Sequence, residues 1–275
     1  MNMNTPFASR QIVVNGLNFH VVVQGEGPDV LLVHGFPDTH HVWRNQISAL
    51  VAAGFRVIAP DNRGCGESQM ASSLPEYRAE HFVSDLVGLL DALQVRKVRL
   101  VGHDLGSVMC WLLCMQHPER VDRFMTLSVG HLSAYARAPL EQKLRAYYML
   151  LFQARGLVEW ALKANHWWLM RMISGYPSEC PRWIEQLSRP GRLTAAINFY
   201  RANLPLLLPR ALPKPAMPVL GVWSSGDRFL VESQMRDTAN WVTGPWRYVR
   251  IDGASHWLQL DAPEQINELM IEFFG

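Results

Sequence analysis

Four short apolar runs, separated by helical patterns, constrain the first half of this chain more than any other feature. The runs are "DVLLVHGF", "RVIAPDNRG", "KVRLVGH" and "RFMTLSVG". Each is apolar without alternation and closes on turn residues, as strands covered on both faces do. Between them lie "HHVWRNQISALVAAG", "HFVSDLVGLLDALQV" and "SVMCWLLCMQHPERV". The second of these places Phe82, Val83, Leu86, Leu89, Leu90 and Leu93 on one helical face. Strand–helix alternation of this kind predicts an α/β domain with a mostly parallel central sheet and helices on both faces. Ahead of it, "QIVVNGLNFHVVVQGEG" predicts a hairpin around Asn15-Gly16, a type I′ turn signal.

From about His131 the rhythm changes. Up to Leu212 the sequence offers helical patterns and prolines, with "QKLRAYYMLLFQARGLVEWALKANHWWLMRMI" and "TAAINFYRANLPLL" as the main pieces. This stretch holds five of the seven tyrosines and four of the ten tryptophans, the composition of an aromatic lid or of a plain helical core. The Pro-rich "LPRALPKPAMP" returns the chain to short strands in "VLGVWSSGD" and "RYVRIDGASH", and "PEQINELMIEFF" closes it as an amphipathic helix. The expected organisation is a core of residues 1–130 and 213–275 with a helical cap, 131–212, inserted between.

Composition narrows the function classes. The formal charge of +2, with basic residues scattered along the chain, gives no footprint for nucleic acid. No apolar run is long enough to span a membrane. "MNMNTPFASRQ" has no apolar stretch of the kind a secretory signal carries. Cys65, Cys110, Cys114 and Cys180 form neither a metal-ligand spacing nor a disulfide scaffold, and Cys110 and Cys114 read as small core side chains of one helix. A soluble protein of a reducing, cytoplasmic compartment is expected, and a homodimer is left open.

The chemistry concentrates on loops that follow strands, where parallel sheets gather functional groups. "GHDLGS", Gly102–Ser107, has the small-x-nucleophile-x-small layout of a strand-to-helix elbow, with aspartate as the central residue. "SSGD" and "GASHW" supply the remaining partners, so that Asp104, Asp227 and His256 follow in the order nucleophile, acid, histidine. A helix-capping role for Asp104 and a turn role for Asp227 are the plain alternatives. Asp252 stands nearer His256 in sequence but is badly placed to orient it.

"HGFPD", "DNRGCGES", "GHDLGS", "SGDRFLV" and "DGASHW" together resemble the signatures of α/β-hydrolase-fold epoxide hydrolases and of the related haloalkane dehalogenases. The resemblance spans nearly the whole chain, and the aspartate elbow is its most specific part. It implies an Asp104 carboxylate that attacks an sp³ carbon to give an enzyme-bound alkyl ester. His256, oriented by Asp227, would then activate the water that cleaves the ester. Backbone N–H groups of Phe36 and Leu105 would form the oxyanion hole. In the cap, "AYYMLLFQ" and "INFYRANL" resemble the segments carrying the family's ring-opening tyrosines, which points to Tyr148 and Tyr200. Shifting by one residue would instead select Tyr147 or Phe199. Asp61 and Arg63 would hold a turn, and His34 and His103 would pack or hydrogen-bond beside the site. The implied substrates are a small apolar epoxide and water, without cofactor or metal.

Some positions depart from the relatives. Dehalogenases often carry tryptophan after the aspartate and asparagine in the first loop, to hold the halide; here Leu105 and Phe36 stand there. Fluoroacetate-type dehalogenases place arginines soon after the nucleophile, where this chain has Leu105 and Ser107. Epoxide opening fits best, with haloalkane or haloacid dehalogenation as the alternative and a non-catalytic ligand-binding relative as the second.

Overall fold

The structure is a computed structural model that describes residues 7–209 and 211–275. The first six residues, part of the stretch read as lacking a signal, and Arg210 of the return linker lie outside the described residues. Among the described residues eight strands form one sheet: β1 (Ser9–Val14), β2 (Leu17–Gln24), β3 (Asp29–Val33), β4 (Arg56–Pro60), β5 (Val98–His103), β6 (Val121–Leu127), β7 (Val219–Ser224) and β8 (Trp246–Ile251). Their spatial order is β1-β2-β4-β3-β5-β6-β7-β8. β2 pairs antiparallel with β1 and with β4, and every other pairing is parallel. Val14 pairs with Leu17 across a two-residue turn in which Asn15 and Gly16 both have positive φ, as type I′ geometry requires.

Order and crossover handedness place the helices. The chain runs from β3 to β4 through α1 (Arg44–Ala52), moving toward β1. It then returns from β4 to β5 through α2 (Ala79–Ala92) and from β5 to β6 through α3 (Leu105–Gln116), moving the other way. Right-handed crossovers in opposite directions put α1 on one face of the sheet and α2 and α3 on the other. The strand order therefore reverses between β3 and β5, and a cleft opens beyond the carboxyl ends of these two strands. Gly35-Phe36 and Asp104 are the residues that follow those ends.

Between β6 and β7 the described residues contain helices and no strand. These are α4 (Leu132–Arg137), α5 (Leu140–Arg145), α6 (Tyr147–Leu151), α7 (Leu157–Ser174), α8 (Cys180–Ser188) and α9 (Arg192–Ala202). The long pattern from Gln142 to Ile173 is thus divided, and α7 itself turns at Ala164–Trp167. There Asn165, His166 and Trp167 take left-handed backbone at φ 47°, 53° and 63°. The chain ends with α10 (Glu232–Arg236), α11 (Leu258–Asp261) and α12 (Pro263–Phe274). Val30–Val33 of β3 and Leu100 and Val101 of β5 are completely buried, so the core lies along the strands that deliver the site.

The "DNRGCGES" turn is fastened by charge. Asp61 accepts the backbone N–H of His40 at 2.8 Å and of Glu67 at 2.9 Å. Arg63 is buried and donates to both oxygens of Asp85 on α2 at 2.7 and 2.8 Å, while Asn15 of the hairpin donates to the same carboxylate at 2.9 Å. Removing the guanidinium leaves a buried carboxylate without its counter-charge. Arg63→Met is expected to lower unfolding stability by about 3–5 kcal/mol in urea titration, and a loss below about 1 kcal/mol would show that the pair is dispensable.

Candidate active site

Asp104 forms the turn between β5 and α3 with φ 53° and ψ −125°, a backbone conformation costly for any residue with a Cβ. Small neighbours make it sterically feasible. A Cβ on Gly106 would meet the carbonyl oxygen of Val33 at 2.0 Å, and one on Gly102 would meet the backbone of Ser107 at 2.7 Å. A Cβ on Gly35 would lie 2.4 Å from Oδ1 of Asp104 itself. This packing lays the β3 loop directly against the carboxylate. The N–H of Phe36 donates to Asp104 Oδ1 at 2.9 Å, and the N–H of Leu105 donates to the same carboxylate.

The other oxygen of Asp104, Oδ2, lies 3.5 Å from Nε2 of His256. On the far side of the ring, Nδ1 of His256 lies 2.9 Å from Oδ2 of Asp227. Asp227 is buried in the loop after β7, and its Oδ1 accepts the N–H groups of Phe229 and Leu230 at 2.8 and 3.0 Å. Asp252 turns outward and pairs with Arg250 at 2.7 Å. His103 donates from Nε2 to the carbonyl of His256 at 2.9 Å and so fixes the loop that carries the imidazole. His34 bonds the Gly35 carbonyl through Nδ1, which leaves Nε2 to accept the N–H of Asn62.

Electrostatics follow from this sandwich. Burial works against charge on His256, but Asp227 and Asp104 outweigh it and hold its pKa well above the usual histidine range. Burial alone would raise the pKa of Asp104, but His256 and the Leu105 N–H overcome it and hold the carboxylate ionised. The free site therefore consists of an imidazolium between two carboxylates.

Two apolar cavities meet at Asp104. One lies toward Phe36, Leu162, Met170, Phe229, His256 and Trp257, the other toward Val108, Leu132, Leu206, Leu207 and Leu230, with Leu105 in its wall. Tyr148 and Tyr200 line both. Their rings meet edge to face at 6.0 Å, and Tyr200 packs the same way on Phe36 at 5.8 Å. The registers differ sharply: Tyr148 is 8% exposed and Tyr147 51%. Phe199 is buried but packs on Phe82, on the core side. Burial, with the charge of Asp104, pushes both buried tyrosine hydroxyls well above 10, so both are neutral donors.

Two groups near the site received no role from the sequence. Tyr135, in the aliphatic cavity, is a third tyrosine whose pKa is raised by burial and by the Asp104 charge. Asp38 ends the "HGFPD" loop, where it accepts the indole N–H of Trp183 in α8 at 2.8 Å and of Trp257 at 3.0 Å. Burial raises its pKa to about 7, and the two indoles limit the rise. The only sequence signal for it was its place in that loop.

Residues 28–263 match the family described as alpha/beta hydrolase fold. A curated relative, Epoxide hydrolase A of Mycobacterium tuberculosis, is 32% identical over 96% of this chain and 96% of its own length. The chain belongs to the epoxide hydrolase family of the α/β-hydrolase fold. An "AB hydrolase superfamily protein" of Bacillus subtilis is 31% identical over 94% of this chain and 95% of its own length. Among solved structures, an epoxide hydrolase from Vigna radiata superposes with a TM-score of 0.85 at 29% identity, covering 97% of both chains. A Bacillus megaterium epoxide hydrolase, at 24% identity and a TM-score of 0.87 over 96% of this chain and 99% of its own, shares the fold.

For this epoxide hydrolase family member the charge sandwich makes a spectroscopic prediction. Asp104→Asn removes one of the two charges that hold the proton on His256, so the imidazole should titrate at lower pH than in the wild type. Histidine-selective ¹³C labelling and NMR will read this, and an unchanged titration would mean that Asp104 contributes nothing to the field at the ring.

Proposed function

We propose that this chain hydrolyses epoxides to vicinal diols, with Asp104 as nucleophile, His256 and Asp227 as the water-activating pair, Phe36 and Leu105 as oxyanion donors, and Tyr148 and Tyr200 as donors to the epoxide oxygen. The observation that carries the reading is that a single carboxylate and two neutral tyrosine hydroxyls line the same apolar cavities. Ring opening needs this combination: a nucleophile on one side of the carbon and acids for the leaving oxygen on the other.

The geometry suggests a division of labour within Asp104. Oδ1 is held by the Phe36 N–H, so Oδ2 is free to attack. On ester formation Oδ1 becomes the carbonyl oxygen, already placed on the Phe36 N–H that will stabilise its negative charge when water adds. The ester carries no charge, so His256 loses one of its two anionic neighbours and its pKa falls toward the range of a base. A water near Nε2 can then be deprotonated and attack the ester carbonyl. Attack regenerates the Asp104 carboxylate and the imidazolium, and releases the diol. No cofactor enters this sequence.

Dehalogenation is less well supported. The indole N–H groups of Trp183 and Trp257 are both held by Asp38, and the position after the nucleophile carries the aliphatic Leu105. A purely ligand-binding role leaves the complete set of charged groups without purpose. The reading includes a helical cap at 131–212 over a core of 1–130 and 213–275, supported by the helices α4–α9 that lie between β6 and β7. It also includes a reducing, cytoplasmic setting, supported by the free thiols of Cys65, Cys110, Cys114 and Cys180. Among the described residues no helix is long and apolar enough to cross a membrane.

His256→Gln, mixed with an aryl or alkyl epoxide, should gain the mass of the substrate covalently on Asp104, as read by peptide mass spectrometry. Absence of both adduct and diol across a broad epoxide panel would overturn the proposal, and halide release without diol would favour dehalogenation. Tyr148→Phe and Tyr200→Phe should each slow alkylation about 100-fold in single-turnover kinetics while sparing hydrolysis of a preformed ester. Wild-type alkylation in both variants would remove these tyrosines from the mechanism.

A further inference from the structure

Charge is unevenly divided between the two parts of the chain. Residues 131–212 contain eleven Lys and Arg against four Glu and no Asp, a formal +7, although the whole chain carries only +2. The rest of the chain is therefore net acidic. Basic residues that look scattered along the sequence are in fact dense in the cap.

The same segment exposes a series of large apolar side chains. Leu140 and Leu144 are exposed one turn apart on α5, and Tyr147 and Leu151 one turn apart on α6. Leu150 is 70% exposed beside them. Leu157 and Trp160 follow before the turn in α7, Trp160 at 68% exposure, and Trp168 and Met172 follow after it. Exposed Lys143, Arg155, Lys163 and Arg171 are interleaved with these residues. The only acidic residues between 137 and 172 are Glu141 and Glu159, and each is paired, with Arg145 and Arg201 at 2.7 Å.

A segment of this kind calls for a partner, since soluble monomers rarely expose so many large apolar side chains close together in sequence. A second copy joined about a two-fold axis would bring like-charged caps together. Cap against acidic core would relieve the repulsion, but such a head-to-tail contact closes only for special rotations and otherwise polymerises. Leucine and methionine have no ring on which a base could stack, which disfavours single-stranded nucleic acid. Tryptophan and leucine set among Lys and Arg match the composition of surfaces that lie in the boundary between lipid headgroups and acyl chains.

We propose that this face of the cap docks on an anionic lipid membrane surface. Leu144, Leu150 and Trp160 enter the headgroup–acyl boundary, and Lys143, Arg155, Lys163 and Arg171 meet the lipid phosphates. Attachment is peripheral and reversible, and it needs neither the catalytic groups nor a bound substrate.

The test is flotation of the full chain with vesicles of phosphatidylcholine alone and of phosphatidylcholine mixed with phosphatidylglycerol. The mixed vesicles should carry the protein at low salt, the neutral ones should not, and salt should release it. Lys143→Glu with Lys163→Glu should weaken partition at least about thirtyfold, by removal of two cations from the surface. Leu150→Gln with Trp160→Gln should abolish flotation while circular dichroism and turnover of a water-soluble epoxide stay at wild-type levels. Failure to float with anionic vesicles, or equal flotation with neutral ones, would overturn the proposal. So would a dimer in sedimentation velocity that the Leu150→Gln, Trp160→Gln variant splits, because a second copy would then cover the face.

Discussion

The site depends on a backbone conformation that can exist only in tightly packed surroundings. Asp104 is held at φ 53° by the close approach of β3, its following loop and the first turn of α3, and Gly35, Gly102 and Gly106 make that approach sterically possible. The strain, of the order of 1–3 kcal/mol for a residue in such a region, is offset by the buried strands on either side. In return the carboxylate stands at the tip of the turn with one oxygen already hydrogen-bonded to backbone. The strand order places it opposite the loops that bring Asp227 and His256.

From that fixed point the rest of the site is electrostatic. His256 is buried with carboxylates on both ring nitrogens, and each of those carboxylates also accepts backbone N–H groups. Asp38 extends the network to α8 through Trp183, and back to the residue after His256 through Trp257. The segment between β6 and β7 is therefore joined to the histidine loop by a buried polar connection as well as by the ring contacts of Tyr176 and Trp183 with Trp257.

Much of this was legible in the sequence, and the reasons differ by element. Uninterrupted apolar runs ending in turn residues mark buried strands, and the Asn15-Gly16 pair marks the hairpin, because few other sequences suit those backbones. The elbow and the order Asp104, Asp227, His256 are readable because a strained turn demands small residues at fixed offsets. The breaks among the helices between β6 and β7 are not readable. The stretch through "KANHWWLM" contains no Gly or Pro, yet Asn165, His166 and Trp167 all adopt left-handed backbone there. Asp38 was equally hidden, since its indole partners stand 145 and 219 residues away in sequence. Resemblance alone points to Tyr148 over Tyr147, and burial adds a physical difference between the two that sequence spacing lacks.

The charge sandwich has a consequence for how protons travel through the proposed reaction. In the resting site two carboxylates and one imidazolium sum to a single negative charge. Once Asp104 is esterified, the same sum holds only if His256 has become neutral, so ester formation releases one proton. Opening the epoxide consumes one proton, at the new alkoxide. Supply and demand thus match within one buried chamber. The first half-reaction can proceed with no net exchange of protons with bulk water, leaving water to enter as a reactant and not as a buffer.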